Sequence, residues 1–324
     1  MFALTKIQQR NCMRRFFICT PTTSKWVFLS FFLFTSNTFA DVIVKPMGLY
    51  EGKIPGSIKS DNPGTIFRES PGDKFITAVS SPSLTAYLPE SMESLAPAVI
   101  ICPGGGYFGL SSIKEGEEVA RRFASNGIAA FVLFYRMPSA ETMDIPNEGP
   151  LQDLQQAIST VHALAKSMSV DPNKIGVMGF SAGGHLAATS ATLFSSPVLD
   201  THKQTVRPAF QILIYPVISM NDALTHEGSR NLLLGNISDS ETRTELITHF
   251  SNEKNVTLTT PPAYLVHATD DEVVVVENTL QYFDALRANK VSVQMLIVPD
   301  GGHGFGMRHR VDWFSDVLDW VKHQ

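Results

Sequence analysis

Ile175–Gly176–Val177–Met178–Gly179–Phe180–Ser181–Ala182–Gly183–Gly184 is the stretch whose reading decides the fold. An apolar run of strand character leads without a linker into Gly-x-Ser-x-Gly, and an apolar helix begins near Gly184. A strand-to-helix turn this sharp forces the serine into a strained backbone region, so its neighbours must be small. Gly179, Ala182, Gly183 and Gly184 meet that demand. The strain holds the hydroxyl clear of the sheet, and the helix start beside it favours developing negative charge. The bland alternative is a Gly/Ser-rich turn without chemistry; strand, elbow and helix in sequence argue against it.

Outward from the elbow, short apolar runs alternate with amphipathic segments. Strands are expected at Leu84–Leu88, Ala98–Cys102, Ala129–Tyr135, Ile175–Met178, Phe210–Tyr215, Ala263–His267 and Ser292–Val298. Helices are expected at Glu115–Asn126, Leu151–Ser167, His185–Phe194, Glu277–Ala288 and Asp312–Lys322. Leu151, Leu154, Ile158, Val161 and Leu164 fall three or four apart, which makes one apolar stripe. Nearly all-apolar strands alternating with helices predict a mostly parallel central sheet flanked by helices on both faces. Residues 41–83 read as a loop-dominated N-terminal arm with at most one strand. Counting that strand, residues 216–261 form a cap-like helical insertion between strands 6 and 7, because so long a connection is rarely a bare loop.

Cys102–Pro103–Gly104–Gly105–Gly106–Tyr107 closes an earlier strand. Three glycines let backbone N–H groups converge, and the amides of Gly105, Gly106 and Ala182 are candidates to hold an oxyanion. Gly104-x-Gly106-x-x-Gly109 also fits the dinucleotide fingerprint. That fold needs an acid after the next strand, which here ends in Tyr135–Arg136, so no cofactor is expected. A serine nucleophile further needs a base and an orienting acid, which follow it in chain order. Asp270–Asp271 follows one late strand and Gly301–Gly302–His303–Gly304 follows the last. His303 is the candidate base. Asp271 and Asp270 compete for the acid, with Asp271 preferred and Asp270 read as a brace for its turn. His185 reads as packing, His267 as a fixture of the Asp loop, and His226, with Tyr107 and Phe108, as a candidate substrate contact. No clustered Cys/His or His-Glu-x-x-His pattern suggests a metal.

Residues 1–40 carry Lys6, Arg10, Arg14, Arg15 and Lys25 and no acid, then the apolar run Trp26–Phe34 and an exit at Thr38–Phe39–Ala40. That describes a secretory signal peptide cut after Ala40, with Met1 or Met13 as the start, and export to the periplasm or medium. The apolar run is shorter than the ~20 residues that span a bilayer. Without the segment, 21 Lys and Arg oppose 31 Asp and Glu, a formal charge of −10. This argues against nucleic acid as a partner. Only Cys102 then remains, so an intrachain disulfide is excluded.

With Tyr215–Pro216–Val217–Ile218, His226 with Gly228–Ser229–Arg230, His267–Ala268–Thr269–Asp270–Asp271 and Gly301–Gly302–His303–Gly304–Phe305–Gly306 added to the elbow and glycine loop, the chain resembles a known group. It is similar, from about Gly48 onward, to bacterial α/β-hydrolases related to acetylxylan and feruloyl esterases, some labelled xylanase- or lipase-like. The resemblance implies the α/β-hydrolase fold in a single domain over 41–324. It also implies hydrolysis of acetyl or aryl esters of plant polysaccharide by Ser181, His303 and Asp271. One departure is Val273–Val276, where such chains usually carry proline. Two rival functions are a prolyl-oligopeptidase-like peptidase, for which no propeller precedes the site, and a non-catalytic binding protein, which would be expected to lack a residue of the three.

Overall fold

The computed structural model describes residues 42–91, 94–199 and 205–324, and the export segment expected over 1–40 lies outside them. In chain order the elements are β1 (Val42–Gly48), β2 (Thr65–Ser70), β3 (Asp73–Thr77), β4 (Ser83–Pro89), β5 (Ala96–Cys102), β6 (Gly109–Ser111), α1 (Glu118–Ala124), β7 (Ala129–Phe134), α2 (Gly149–Leu164), β8 (Val170–Phe180) and α3 (Ser181–Thr192). There follow β9 (Gln211–Ile214), α4 (Glu227–Leu234), α5 (Ser240–Phe250), β10 (Ala263–Ala268), α6 (Glu277–Ala288), β11 (Val293–Val298) and α7 (Trp313–Lys322).

Eight strands form one sheet in the order β1-β4-β7-β5-β8-β9-β10-β11. Pairing is antiparallel from β1 through β4 to β7 and parallel from β7 to β11. Side-chain alternation divides each central strand between two cores. In β5, Ala98, Ile100 and Cys102 join Leu154, Ile158 and Val161 of α2, whereas Val99 and Ile101 join Phe123 of α1 and Val317 and Val321 of α7. Burial on both faces is why these strands are apolar throughout. Between β9 and β10, the sixth and seventh strands of this sheet, the chain forms α4 and α5.

Two expectations need correction. The arm carries three strands where at most one is expected: β1 borders the main sheet, while β2 and β3 form a hairpin that pairs through β3 with β6 as a separate three-stranded sheet. Helix α3 begins at Ser181 itself rather than near Gly184.

Arg136, fully buried after β7, ties the arm to the body. Its Nη1 donates to Pro55 O and Ser57 Oγ, its Nη2 to Gln152 Oε1, and its Nε to Asp153 of α2. Asp153 also accepts from the Arg136 amide at 2.8 Å and from Tyr50 Oη at 2.8 Å. A charge can be buried here because each partner is hydrogen-bonded on several sides.

Candidate active site

The carboxyl ends of β5, β8, β10 and β11 converge on one edge of the sheet, the edge where open α/β sheets gather their ligands. Ser181 follows β8 with φ +52°, a left-handed conformation that costs a side-chain-bearing residue energy. The turn demands its glycines. A Cβ on Gly179 would collide with the Gly183 carbonyl, and one on Gly183 with the Cys102 carbonyl.

From that elbow the Ser181 hydroxyl reaches His303 Nε2 at 2.9 Å, and His303 Nδ1 reaches Asp271 Oδ2 at 2.7 Å. The bonds fix roles: Nδ1–H donates to the carboxylate, leaving Nε2 to accept from the hydroxyl. Asp271 Oδ1 accepts the amides of Val273 and Val274 at 3.0 and 2.9 Å. His267 adds a further donor, its Nε2–H shared between Asp271 Oδ2 at 3.2 Å and Val274 O at 2.8 Å, while its Nδ1 accepts from Thr279 Oγ1. Burial pushes the Asp271 carboxyl up. Hydrogen bonds from His267 and His303, the charge of His303 and the Val274 amide outweigh burial and hold it well below the usual range. Asp270 does not reach His303; it accepts the Gly301 and Gly302 amides at 3.2 and 2.8 Å and so braces the histidine loop.

Beside the hydroxyl lies the glycine loop. Gly104 N–H is engaged by Glu115 Oε2 at 2.9 Å. Among the described residues the amides of Gly105 and Gly106 meet no acceptor, and Ala182 N–H belongs to the first turn of α3, where no intrahelical acceptor exists. Glu115 is a residue the sequence reading missed. Its Oε1 accepts from Tyr215 Oη at 2.9 Å, and that oxygen accepts from Gly306 N–H at 3.0 Å, which links the glycine loop to the histidine loop. Burial pushes the Glu115 carboxyl up, against the Lys114 charge and the bonds from Tyr215 and Gly104.

A cavity of about 470 Å³ opens over Ser181 and His303, lined among others by Gly104, Gly105, Gly106, Phe108 and His226. Nδ1 of His226 accepts from Ser229 N–H and pairs with its hydroxyl at 2.8 Å, so Nε2 carries the proton as a donor without a partner among the described residues. Burial, then the His303 charge, lowers the His226 pKa against the pull of Asp271. Tyr107 is not a wall of this cavity, which corrects the reading of it as a substrate contact. At φ +59° its ring turns inward, 2 % exposed, and its hydroxyl donates to His185 Nδ1 at 2.8 Å. Arg68, Asp73 and Phe75 do line the cavity, brought there by the β2–β3 hairpin.

Fold and site together define an α/β-hydrolase. The profile of the BD-FAE family matches residues 84–286, and the chain belongs to that family. It is 36 % identical over 245 residues to an acetylxylan esterase of Xylanibacter ruminicola, covering 74 % of this chain and 48 % of that protein. It is 35 % identical to endo-1,4-beta-xylanase B of Butyrivibrio fibrisolvens, covering 69 % and 34 %. The chain thus spans half or less of the length of these curated relatives. Among solved structures, an acetyl ester-xyloside bifunctional hydrolase from Caldicellulosiruptor lactoaceticus aligns with a TM-score of 0.69 at 33 % identity, covering 86 % of this chain and 96 % of that one.

Proposed function

We propose that this protein is a serine carboxylesterase that deacetylates plant polysaccharide or its oligosaccharides. The observation that carries the reading is the unbroken chain of hydrogen bonds from Ser181 through His303 to Asp271, beside unoccupied backbone donors. His303 Nε2 takes the Ser181 proton as Oγ attacks the ester carbonyl. The carbonyl oxygen becomes an oxyanion, received by the amides of Gly105, Gly106 and Ala182. Asp271 stabilises the imidazolium without taking its proton. The intermediate collapses, the acyl C–O bond breaks, and the imidazolium protonates the departing sugar oxygen to give its hydroxyl, leaving acetyl on Ser181. Water, deprotonated by His303, attacks that acyl-enzyme and releases acetate. His226 and Phe108 contact the alcohol moiety. The basic and apolar character of residues 1–40 supports an exported enzyme acting outside the cytoplasm.

The test is release of p-nitrophenol from p-nitrophenyl acetate by wild type and Ser181→Ala, followed by acetate release from acetylated xylan against ferulate release from feruloylated xylan. Equal turnover by wild type and variant would overturn the reading; faster ferulate than acetate release would overturn the acyl preference.

A further inference from the structure

The hairpin of β2 and β3 places at the cavity mouth a set of side chains that the ester chemistry does not use. Phe67 and Phe108 are 64 % and 47 % exposed, unusual for phenylalanine unless the ring faces have a use. They pack around Phe75: Phe75 and Phe108 stack at 6.2 Å, and Phe67 meets both edge-on at 6.4 and 5.4 Å. The three rings form a shelf, and Phe75 and Phe108 continue into the cavity wall.

Two cations flank the shelf. Arg68 lies over the Phe75 ring, 5.7 Å from its centroid, and Lys114 stands beside the histidine loop, where a Cβ on Gly304 would be 3.6 Å from its Nζ. Both line the cavity, and neither forms an ion pair within 4 Å of a carboxylate among the described residues, although the Lys114 charge acts on Glu115 from farther off. The two acids of the cavity wall are already engaged. Asp73 accepts from Ser111 Oγ at 2.6 Å and from the amides of Lys74, Ile113 and Lys114, and Glu115 is held by Gly104 and Tyr215. Residues 41–324 carry a formal charge of −10, yet the free side-chain charges facing this cavity are positive.

Resting on the esterase reading, we propose that the shelf is a subsite for an acidic sugar: the acetyl ester it prefers is borne by an oligosaccharide that carries a uronate. The C–H face of the pyranose ring lies on Phe67 and Phe108, and the carboxylate meets Arg68 and Lys114. Shape alone would serve a neutral sugar; the unpaired cations are what select the acid.

The experiment compares kcat/KM for acetate release from two acetylated xylo-oligosaccharides, one bearing a glucuronate branch and one neutral, with p-nitrophenyl acetate as the measure of ester chemistry. Wild type should favour the acidic substrate by about tenfold at low ionic strength, and 0.5 M NaCl should erode the preference, because salt screens partly exposed charges. Lys114→Gln and Arg68→Gln should each reduce the acidic-to-neutral ratio about threefold, acting through KM more than kcat. A wild-type ratio near one, or a ratio that neither variant changes, would overturn the subsite alone when p-nitrophenyl acetate is turned over. Absence of turnover on all three substrates would overturn the esterase reading and the subsite with it.

Discussion

Asn in place of Asp271 changes one atom, and the surrounding bonds decide what that atom does. The Asn carbonyl oxygen has two sites to choose between. At the Oδ1 position it keeps the Val273 and Val274 amides at 3.0 and 2.9 Å; at the Oδ2 position it keeps His303 and the longer 3.2 Å contact with His267. The two amides cannot rearrange, whereas His303 can change tautomer, so the oxygen stays on the amides and the new NH₂ faces His303 Nδ1. The imidazole then accepts at Nδ1 and carries its proton on Nε2, pointing at the Ser181 hydroxyl it should deprotonate. Loss of the correct tautomer costs about three to four orders of magnitude in kcat, or roughly 4–5 kcal/mol of transition-state stabilisation. Asp270→Asn surrenders only one of two exposed amide contacts and should cost less than about tenfold. Steady-state hydrolysis of p-nitrophenyl acetate measures both, with circular-dichroism melting to show that each variant is folded. Retention by Asp271→Asn of more than about a tenth of wild-type kcat, or a greater loss from Asp270→Asn, would refute the assignment of the acid.

His185 offers a pH test of stability. Burial lowers its pKa from 6.5 to about 4, with the bond to Phe250 O opposing. The unfolded chain therefore binds the proton first, and this contribution to stability is present above about pH 6.5 and lost on descent toward 4. The shift is worth about 3 kcal/mol, and His185→Asn should flatten the fall in urea midpoint between pH 7 and 4.5. Asp153→Ala leaves the Arg136 guanidinium buried without its carboxylate and should cost about 3–5 kcal/mol in urea unfolding; a loss below about 1 kcal/mol would contradict the bridging role given to this pair. Gly105→Ala forces a Cβ into the Gly109 carbonyl at a φ of +146°. The glycine loop must shift, and kcat should fall about 10²- to 10³-fold, the worth of one oxyanion donor, with a lower melting temperature from the same strain.

What the sequence discloses about this molecule follows how locally each feature is determined. The elbow is legible because strand, turn and helix are contiguous and the clash that excludes a side chain at Gly179 arises four residues away, at the Gly183 carbonyl; the clash at Gly183 comes from the distant Cys102 carbonyl and is not legible locally. Asp271 and His303 are legible because each sits one short step past an apolar strand, and parallel pairing puts all such steps on one edge. The hairpin carries a local signal too: Pro71–Gly72 separates Ser70 from its partner Asp73, with Gly72 at φ +81°. Its strands are hard to read because β2 is exposed along its whole length, which leaves no two-residue apolar rhythm to detect. Tyr107 misleads for the opposite reason. An aromatic residue beside a glycine loop has the composition of a pocket wall, and only its positive φ and the distant His185 send the ring inward. Glu115 and Tyr215 are not legible as a pair because they are 100 residues apart and their contact exists only once β5 and β9 lie on either side of β8. The groups that make the chemistry are therefore set by local strain and chain order. The groups proposed to select the ester, Arg68, Phe75 and Lys114 among them, are brought together by the pairing of β2 with β3 and of β3 with β6, so on that proposal specificity can change through the arm while the elbow is left untouched.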